Sequence, residues 1–377
     1  MTQRLGEFGT DTSTRRSSAR FKHIDALRAL AVLLVAVSHA GLGTIVPGGA
    51  GVTIFFTISG FIITHILIRE RMRTGSFDPR QFYIKRILKL APPLFVVIVI
   101  PTFVYSFFAR IDWYAFLGQI FFFYNWVRIS ADGAVLPGSG VTWSLAIEEQ
   151  FYIGFSIFWI FASRLNAYMR TLQVLAVAAI GWALVTRFVL AAAGASEYRV
   201  EFGTDSRLDS IALGILSATI YASVSERVGK VSVFGALTTF AAKSWVFVSA
   251  VLLFLVATAI PNEFFKDTLR YFLQSLAIAL ILIYGMQRPR DILSRIYSGF
   301  CEMRFLQIIG LSSYSIYLVH VPLYHLIDWV DLGIDGPILI SLKLVISVVL
   351  GSLVWRILEV PIERYKTRLF SRGRPLG

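Results

Sequence analysis

The sequence predicts an all-α, polytopic membrane protein of about ten transmembrane helices with both termini in the cytoplasm. Three observations lead there. Of the 377 residues, 56% are hydrophobic and only 16% charged, against about 25% charged in ordinary soluble domains; the mean hydropathy is +0.68. The apolar residues gather in blocks of about 17–25, the length a helix needs to cross a hydrocarbon core of roughly 30 Å. The lysines and arginines, finally, crowd into alternate connections between those blocks. No polar stretch is long enough for a soluble domain. The economical division is a membrane-embedded domain over 24–358, with basic cytoplasmic tails at 1–23 and 359–377.

Block edges place the spans near 24–45, 50–68, 88–109, 142–163, 171–194, 207–222, 244–260, 268–286, 305–327 and 337–357. One set of connections comprises the two tails with 69–87, 164–170, 223–243 and 287–304, and it carries 25 Lys and Arg. The other set comprises 46–49, 110–141, 195–206, 261–267 and 328–336, and it carries 4. Cationic loops stay on the cytoplasmic side. The net charge of +13 is therefore a topology signal with attraction to anionic lipid headgroups, and no nucleic-acid partner is needed to explain it. Segment 113–127, WYAFLGQIFFFYNWV, is apolar but short. Counting it as a span would put Arg364, Lys366, Arg368, Arg372 and Arg374 outside, so it is expected to be re-entrant or to lie at the outer interface, where Trp and Tyr are at home.

Other classes fall away. Cys301 is the single cysteine, which excludes an internal disulfide framework. Tail 1–23 has no apolar core suited to a cleavable signal peptide and is expected to be disordered. There is no Gly-rich phosphate loop ending in Lys-Ser/Thr and no repeat of 20–50 residues, so ATP-driven transport by this chain alone is not expected. No metal site is expected.

Ionisable groups inside the apolar blocks carry the functional signal, because a charge at the bilayer centre costs at least about 2.5–3.5 kcal/mol on insertion scales. In the first block, IDALRALAVLLVAVSHAGL, Arg28 and His39 are eleven residues apart. That is three turns plus about 20°, so they share a helical face, roughly 16 Å apart along the axis. The bland alternative has Arg28 snorkelling to headgroups and His39 bonding a backbone carbonyl; an intramembrane imidazole argues for proton chemistry instead. In VTWSLAIEEQFYIGF, Ser144, Glu148 and Tyr152 form a stripe at i, i+4 spacing, which favours Glu148 as functional and leaves Glu149 as interfacial.

Arg207 and Asp209 open the sixth block two positions apart. Such neighbours diverge on a helix, so each needs its own partner; a pair of interfacial charges at a helix start is as good an account as a functional role. The ninth block sets Ser312, Ser313, Tyr314, Ser315 and His320 at membrane depth, with His325 near the outer interface and meeting headgroups. His65 is ambiguous. Gly51 and Gly60 suit close helix packing. The loop 69–89 carries seven basic residues against two acidic ones. It serves as a positive-inside anchor, or its run Lys85, Arg86, Lys89 forms a site for a polyanion.

These stretches together resemble the acyltransferase type 3 family, polytopic membrane acyltransferases of bacterial surface glycans and some secondary metabolites. The resemblance covers about residues 22–363. It rests on the Arg28–His39 spacing, the Gly51-to-Phe61 stretch, FYIKRILKLAP, Thr142 to Tyr152 (TWSLAIEEQFY), Gly310 to Pro322 (GLSSYSIYLVHVP), and Glu359–Val360–Pro361, in that order. Lys85 and Lys89 stand where the family usually has arginine, and Lys lacks the bidentate fork that grips phosphate. The esterase-like C-terminal domain of some relatives is not found, so the membrane domain is expected to work alone.

The resemblance implies transfer of an acyl group, usually acetyl, from acetyl-CoA to a hydroxyl of a surface glycan, such as lipopolysaccharide, or of a lipid-linked saccharide, by an integral protein of the bacterial cytoplasmic (inner) membrane. Arg86, Lys89 and Arg28 would hold the donor. His39 would act as general base or become acylated itself, with Glu148 orienting the imidazole or the acceptor. Ser144, Arg207, Asp209, Tyr314 and His320 would support substrate or structure. Competing assignments are an acyltransferase of a small secreted metabolite, a proton-coupled transporter using His39, Glu148 and His320 as a relay, and a scaffold, which leaves the buried Arg, His and Glu unexplained.

Overall fold

The structure, a computed structural model, describes residues 20–130, 133–225 and 233–371. Helices fill the expected apolar blocks, and among the described residues there is no β-strand. In chain order they are α1 (Lys22–Leu42), α2 (Gly48–Thr74), α3 (Pro79–Tyr105), α4 (Ser139–Ala162), α5 (Tyr168–Ala192), α6 (Leu208–Ser223), α7 (Ser244–Ala259), α8 (Arg270–Gln287), α9 (Ser313–Val330) and α10 (Gly336–Phe370). Seven of them, α1 to α5, α8 and α10, are long and apolar enough to cross a membrane. Helix α9 adds an eighth only together with the preceding Arg304–Leu311, from which it bends by 74°; α6 and α7 are apolar but shorter.

Local chemistry sets the breaks. Helix α2 stops at Gly75, whose φ of 71° suits a residue without Cβ. Asp78 then caps α3, accepting from the Gln81 amide at 3.0 Å, with Pro79 at the first helical position. Stretch 113–127 forms two short helices, Trp113–Ile120 and Tyr124–Ser130, broken where Phe122 takes a φ of 60°. Eight residues rise only about 12 Å, so neither crosses a bilayer. At the far end, α10 continues through a π turn at Trp355–Glu359 into Val360–Ser371. The tail expected from 359 thus begins as helix, while 1–19 and 372–377 lie outside the described residues.

Helix α2 is the hub. It lies against α1, where Ile24, Leu27 and Ala31 meet Ile54, Ile58 and Phe61, and against Ala277 and Ile281 of α8. Its approach to α6 is backbone on backbone: a Cβ on Gly60 would overlap the Ile211 carbonyl, and one on Gly214 would overlap the Thr57 carbonyl. A Cβ on Gly51 would likewise strike the Ala31 carbonyl of α1. This is the small-residue packing that replaces hydrophobic drive between helices in lipid. Outward, α5 exposes Val174, Val177, Trp182, Val185 and Val189, and α10 exposes Val345, Val349 and Leu353, an apolar exterior suited to acyl chains.

Two pairs of opposite charges sit inside this bundle. Arg187 of α5 and Asp209 of α6 meet at 2.6 Å, both fully buried, and Arg187 also donates to the Thr268 carbonyl at 2.8 Å. Arg86 of α3 pairs with Glu149 of α4. Each pair fixes two helices in register, since removing one partner would strand a buried charge.

Candidate active site

Helix α1 loses its regular pitch at Ser38–Leu42, where a π turn ends on Gly41 with φ 124°. Such turns displace side chains from the helical stripe, and this one carries His39. The His39 Nδ1 lies 3.0 Å from the Val35 carbonyl oxygen and 3.2 Å from Nε2 of His320. On the other side of its ring, His320 Nδ1 lies 2.6 Å from the Tyr317 carbonyl oxygen.

A carbonyl only accepts, so a neutral His320 carries its proton on Nδ1, which makes its Nε2 an acceptor. His39 must then donate from Nδ1, and its Nε2 keeps a free lone pair. His320 is fully buried whereas His39 is exposed to a cavity. The arrangement leaves His39, which lines that space, with a bare imidazole nitrogen.

The cavity holds about 530 Å³ and is lined by Ser38, His39, Tyr124, Arg128, Trp143, Glu201, Tyr317 and His325 among others. Glu201, on the short helix Glu197–Phe202 outside the spans, has its carboxyl pushed up by burial, against the pull of Arg207. A second, smaller cavity of about 140 Å³ lies beyond it, lined by Arg28, Ser59, Arg86, Lys89, Glu148 and Tyr152. It leads into a space of about 680 Å³ that shares Arg28, Arg86, Lys89 and Tyr152 and adds Arg20, Lys85, Arg364 and Lys366. Both ends of the described chain therefore meet at this basic mouth. Val52 and Tyr317 line both the His39 cavity and the small basic one, so they form the wall between them. Tyr317 is held there by Ser144 at 2.7 Å and by the Val141 carbonyl at 3.0 Å.

The residues singled out from sequence divide accordingly. His39 and His320 meet. Arg28 donates to Ser313 at 3.1 Å on the same helix, α9, that carries His320, so one face of α1 reads one face of α9 at two levels. Lys89 faces the basic cavity with no carboxylate within ion-pair distance among the described residues. Tyr314 ties α9 to α3 by donating to the Leu90 carbonyl at 2.9 Å.

Three expectations are corrected. Glu148 does not reach His39: it accepts from Ser59 at 3.0 Å and belongs to the basic cavity. The imidazole is oriented by His320 and backbone instead. Ser144 bonds Tyr317 and, as its stripe with Glu148 and Tyr152 predicts, lines the same basic cavity as both. Glu149 is not interfacial; at 6% exposure it grips Arg86 through both oxygens, with Nε–Oε2 at 2.9 Å, while the guanidinium carbon lies 3.2 Å from the centre of the Tyr152 ring. Arg207 and Asp209 are not interfacial charges either. Asp209 pairs with Arg187, and Arg207 donates to Thr53 at 2.9 Å over the Tyr271 ring, and neither residue lines either cavity. They do diverge to separate partners, as i and i+2 positions must. His325 lines the His39 cavity, and His65 stacks on Phe61.

Tyr317, Arg128, Glu201 and Arg187 join the expected residues around the two cavities and in the bundle. Arg187 carried a usable signal, an arginine within an apolar block. Tyr317 lies one turn before His320, and only tertiary packing reveals its place in the wall. Among the described residues no three potential metal ligands converge.

Residues 21–356 match the family described as the acyltransferase domain. The chain is 30% identical over 376 residues to the peptidoglycan O-acetyltransferase OatA of Listeria monocytogenes, covering 93% of this chain and 57% of that protein. It is 27% identical over 364 residues to the O-acetyltransferase OatA of Staphylococcus aureus, covering 92% of this chain and 58% of that one. The chain thus spans a little under three fifths of the curated relatives it matches. No solved structure matches it significantly.

Proposed function

The chain belongs to the acyltransferase type 3 family, and from that premise we propose that it is a membrane O-acetyltransferase that moves acetyl from acetyl-CoA to a hydroxyl of a glycan or lipid-linked saccharide. The observation that carries this proposal is the bare Nε2 of His39, a residue lining a cavity that a single wall divides from a basic one. We place the chain in the bacterial cytoplasmic membrane, with α1 to α10 as ten crossings and both termini cytoplasmic. The division of 25 against 4 Lys and Arg supports that orientation, and it puts the basic mouth, lined by Arg20 and Lys366, on the side where acyl-CoA is found.

In this mechanism Arg28 and Lys89 attract the donor's phosphates, while Arg86, held by Glu149, lines the basic cavity. The slender thioester end reaches past Val52 and Tyr317 towards His39. The acceptor enters the opposite cavity with its hydroxyl at Nε2. As the hydroxyl oxygen attacks the thioester carbonyl, its proton passes to Nε2. The tetrahedral intermediate collapses, the C–S bond breaks, and the coenzyme A thiolate leaves with the proton that the imidazolium returns. His320 stabilises the transient imidazolium by accepting from its Nδ1–H. Transfer is direct, because the reacting groups arrive from the two sides of one wall.

That the Listeria relative is a peptidoglycan O-acetyltransferase supports a glycan acceptor here. The test is purified protein in liposomes supplied with radiolabelled acetyl-CoA and glycan fragments. Label on the glycan with the wild type, absent with His39→Ala, is the expected result; equal labelling by both would overturn the assignment.

A further inference from the structure

One cation in the His39 cavity is left over by everything above. Arg128, on the short helix Tyr124–Ser130, lines that cavity. Among the described residues no carboxylate lies within ion-pair distance of it, and its Nε is buried with no hydrogen-bond partner. Arg86, Arg187 and Arg199 by contrast hold Glu149, Asp209 and Asp205, while Arg207, also without a carboxylate at ion-pair distance, lies outside this cavity and donates to Thr53. The surroundings of Arg128 are aromatic. Its guanidinium carbon lies 5.7 Å from the Phe202 ring centre and 6.0 Å from that of Tyr198, and Phe202 lies 4.5 Å from Trp143, ring centre to ring centre.

Topology does not account for it. Arg128 belongs to the connections that carry only 4 Lys and Arg between them, where a cation is the exception. A partly desolvated guanidinium without a counter-ion is unfavourable unless something with charge completes it. Its planar fork suits a carboxylate or phosphate held by two parallel hydrogen bonds. Glu201 lines the same cavity but is outside ion-pair distance, so it is free to accept from sugar hydroxyls.

We propose that the His39 cavity takes an anionic saccharide, whose carboxylate or phosphate pairs with Arg128 while its ring packs on the Trp143–Phe202 face. The proposal rests on the acyltransferase assignment above and names its acceptor class. The aromatic pair supplies apolar contact that any pyranose could use; Arg128 supplies the selection for charge.

The test is acetyl transfer from acetyl-CoA by the full chain in liposomes to three soluble acceptors: N-acetylmuramic acid, its methyl ester, and N-acetylglucosamine 1-phosphate. The acid and ester share every hydroxyl and differ in charge. The expected result is a KM about tenfold lower for the acid or the phosphate than for the ester, the scale of one charge-assisted hydrogen-bonded pair. Arg128→Gln should erase that difference in KM, and Arg128→Lys should restore part of it. Preference for the acid identifies a sugar carboxylate, and preference for the phosphate a phosphate group. Equal KM values for all three acceptors with the wild type would overturn the inference and leave the acyltransferase assignment standing. No transfer to any of them, with acetyl-CoA untouched, would sink that assignment and this inference with it. A melting temperature for Arg128→Gln matching the wild type's shows that a lost preference is not lost folding.

Discussion

His320 offers its Nε2 to the Nδ1 of His39 at 3.2 Å, and a backbone carbonyl, not a carboxylate, holds the other side of the His320 ring. Two neutral imidazoles in series set a tautomer without adding negative charge to an apolar interior, where an ionised carboxylate would be costly to bury. His320→Ala should therefore lower kcat for acetyl transfer by about 10²–10⁴-fold, the usual worth of a positioned general base, with KM for acetyl-CoA little changed. His320→Gln, whose amide oxygen can still accept from Nδ1–H, should recover part of the loss. Steady-state kinetics in liposomes checks both; an unaltered kcat in His320→Ala would remove the orienting role.

The Arg86–Glu149 pair predicts a different phenotype. Both side chains are largely buried, and the guanidinium is already bonded through two nitrogens. Glu149→Gln strands that cation and should destabilise the protein by about 3–5 kcal/mol, read as a fall in melting temperature in detergent. Replacing both partners together, as Arg86→Met with Glu149→Leu, should melt higher than Glu149→Gln, because no charge is left unpaired. Were Arg86 mainly a phosphate ligand, Arg86→Met would instead raise KM for the donor without touching the melting temperature.

That contrast shows where the sequence was legible. Periodicity and length mark the apolar blocks because every helix must satisfy its own backbone in lipid, and α1 to α10 follow them. The Arg28–His39 stripe could be read because both residues lie on one helix. The partners could not: His39 finds His320 across 281 positions, and Arg86 finds Glu149 across 63. Adjacent Glu148 and Glu149 point about 100° apart, so one carboxylate enters the basic cavity and the other the ion pair, and helical phase alone does not say which. The π turn at Ser38–Leu42 was hidden as well, since nothing in SHAGL forbids a regular helix before Gly41.

The α2–α6 contact predicts which small residues are indispensable. Gly60 and Gly214 each face the partner's backbone, with no flexible side chain able to yield. Gly60→Val should separate the helices and reduce the yield of monodisperse protein on size exclusion sharply, overpacking costing about 1–3 kcal/mol or more where backbone must shift. Gly154, with open space around its missing Cβ, is the control: Gly154→Val should purify as the wild type does.

The wall between the cavities makes the sharpest claim about mechanism. Val52 is 5% exposed and, with Tyr317, borders both spaces, so in the proposed mechanism the donor passes it to reach His39. Val52→Trp should fill that passage without touching Arg28, Lys89 or His39. Acetyl transfer should then fall by about 10²-fold or more, since misplacing reacting groups by a single ångström has an effect of that size. Binding of coenzyme A, measured by calorimetry on the same protein, should persist because Arg28 and Lys89, the proposed phosphate ligands, are intact. Val52→Ala, which widens the passage, should admit longer acyl groups, seen as a raised propionyl-to-acetyl ratio in competition. If Val52→Trp transfers acetyl at the wild-type rate, donor and acceptor meet somewhere other than across this wall, and His39 loses its claim to the proton.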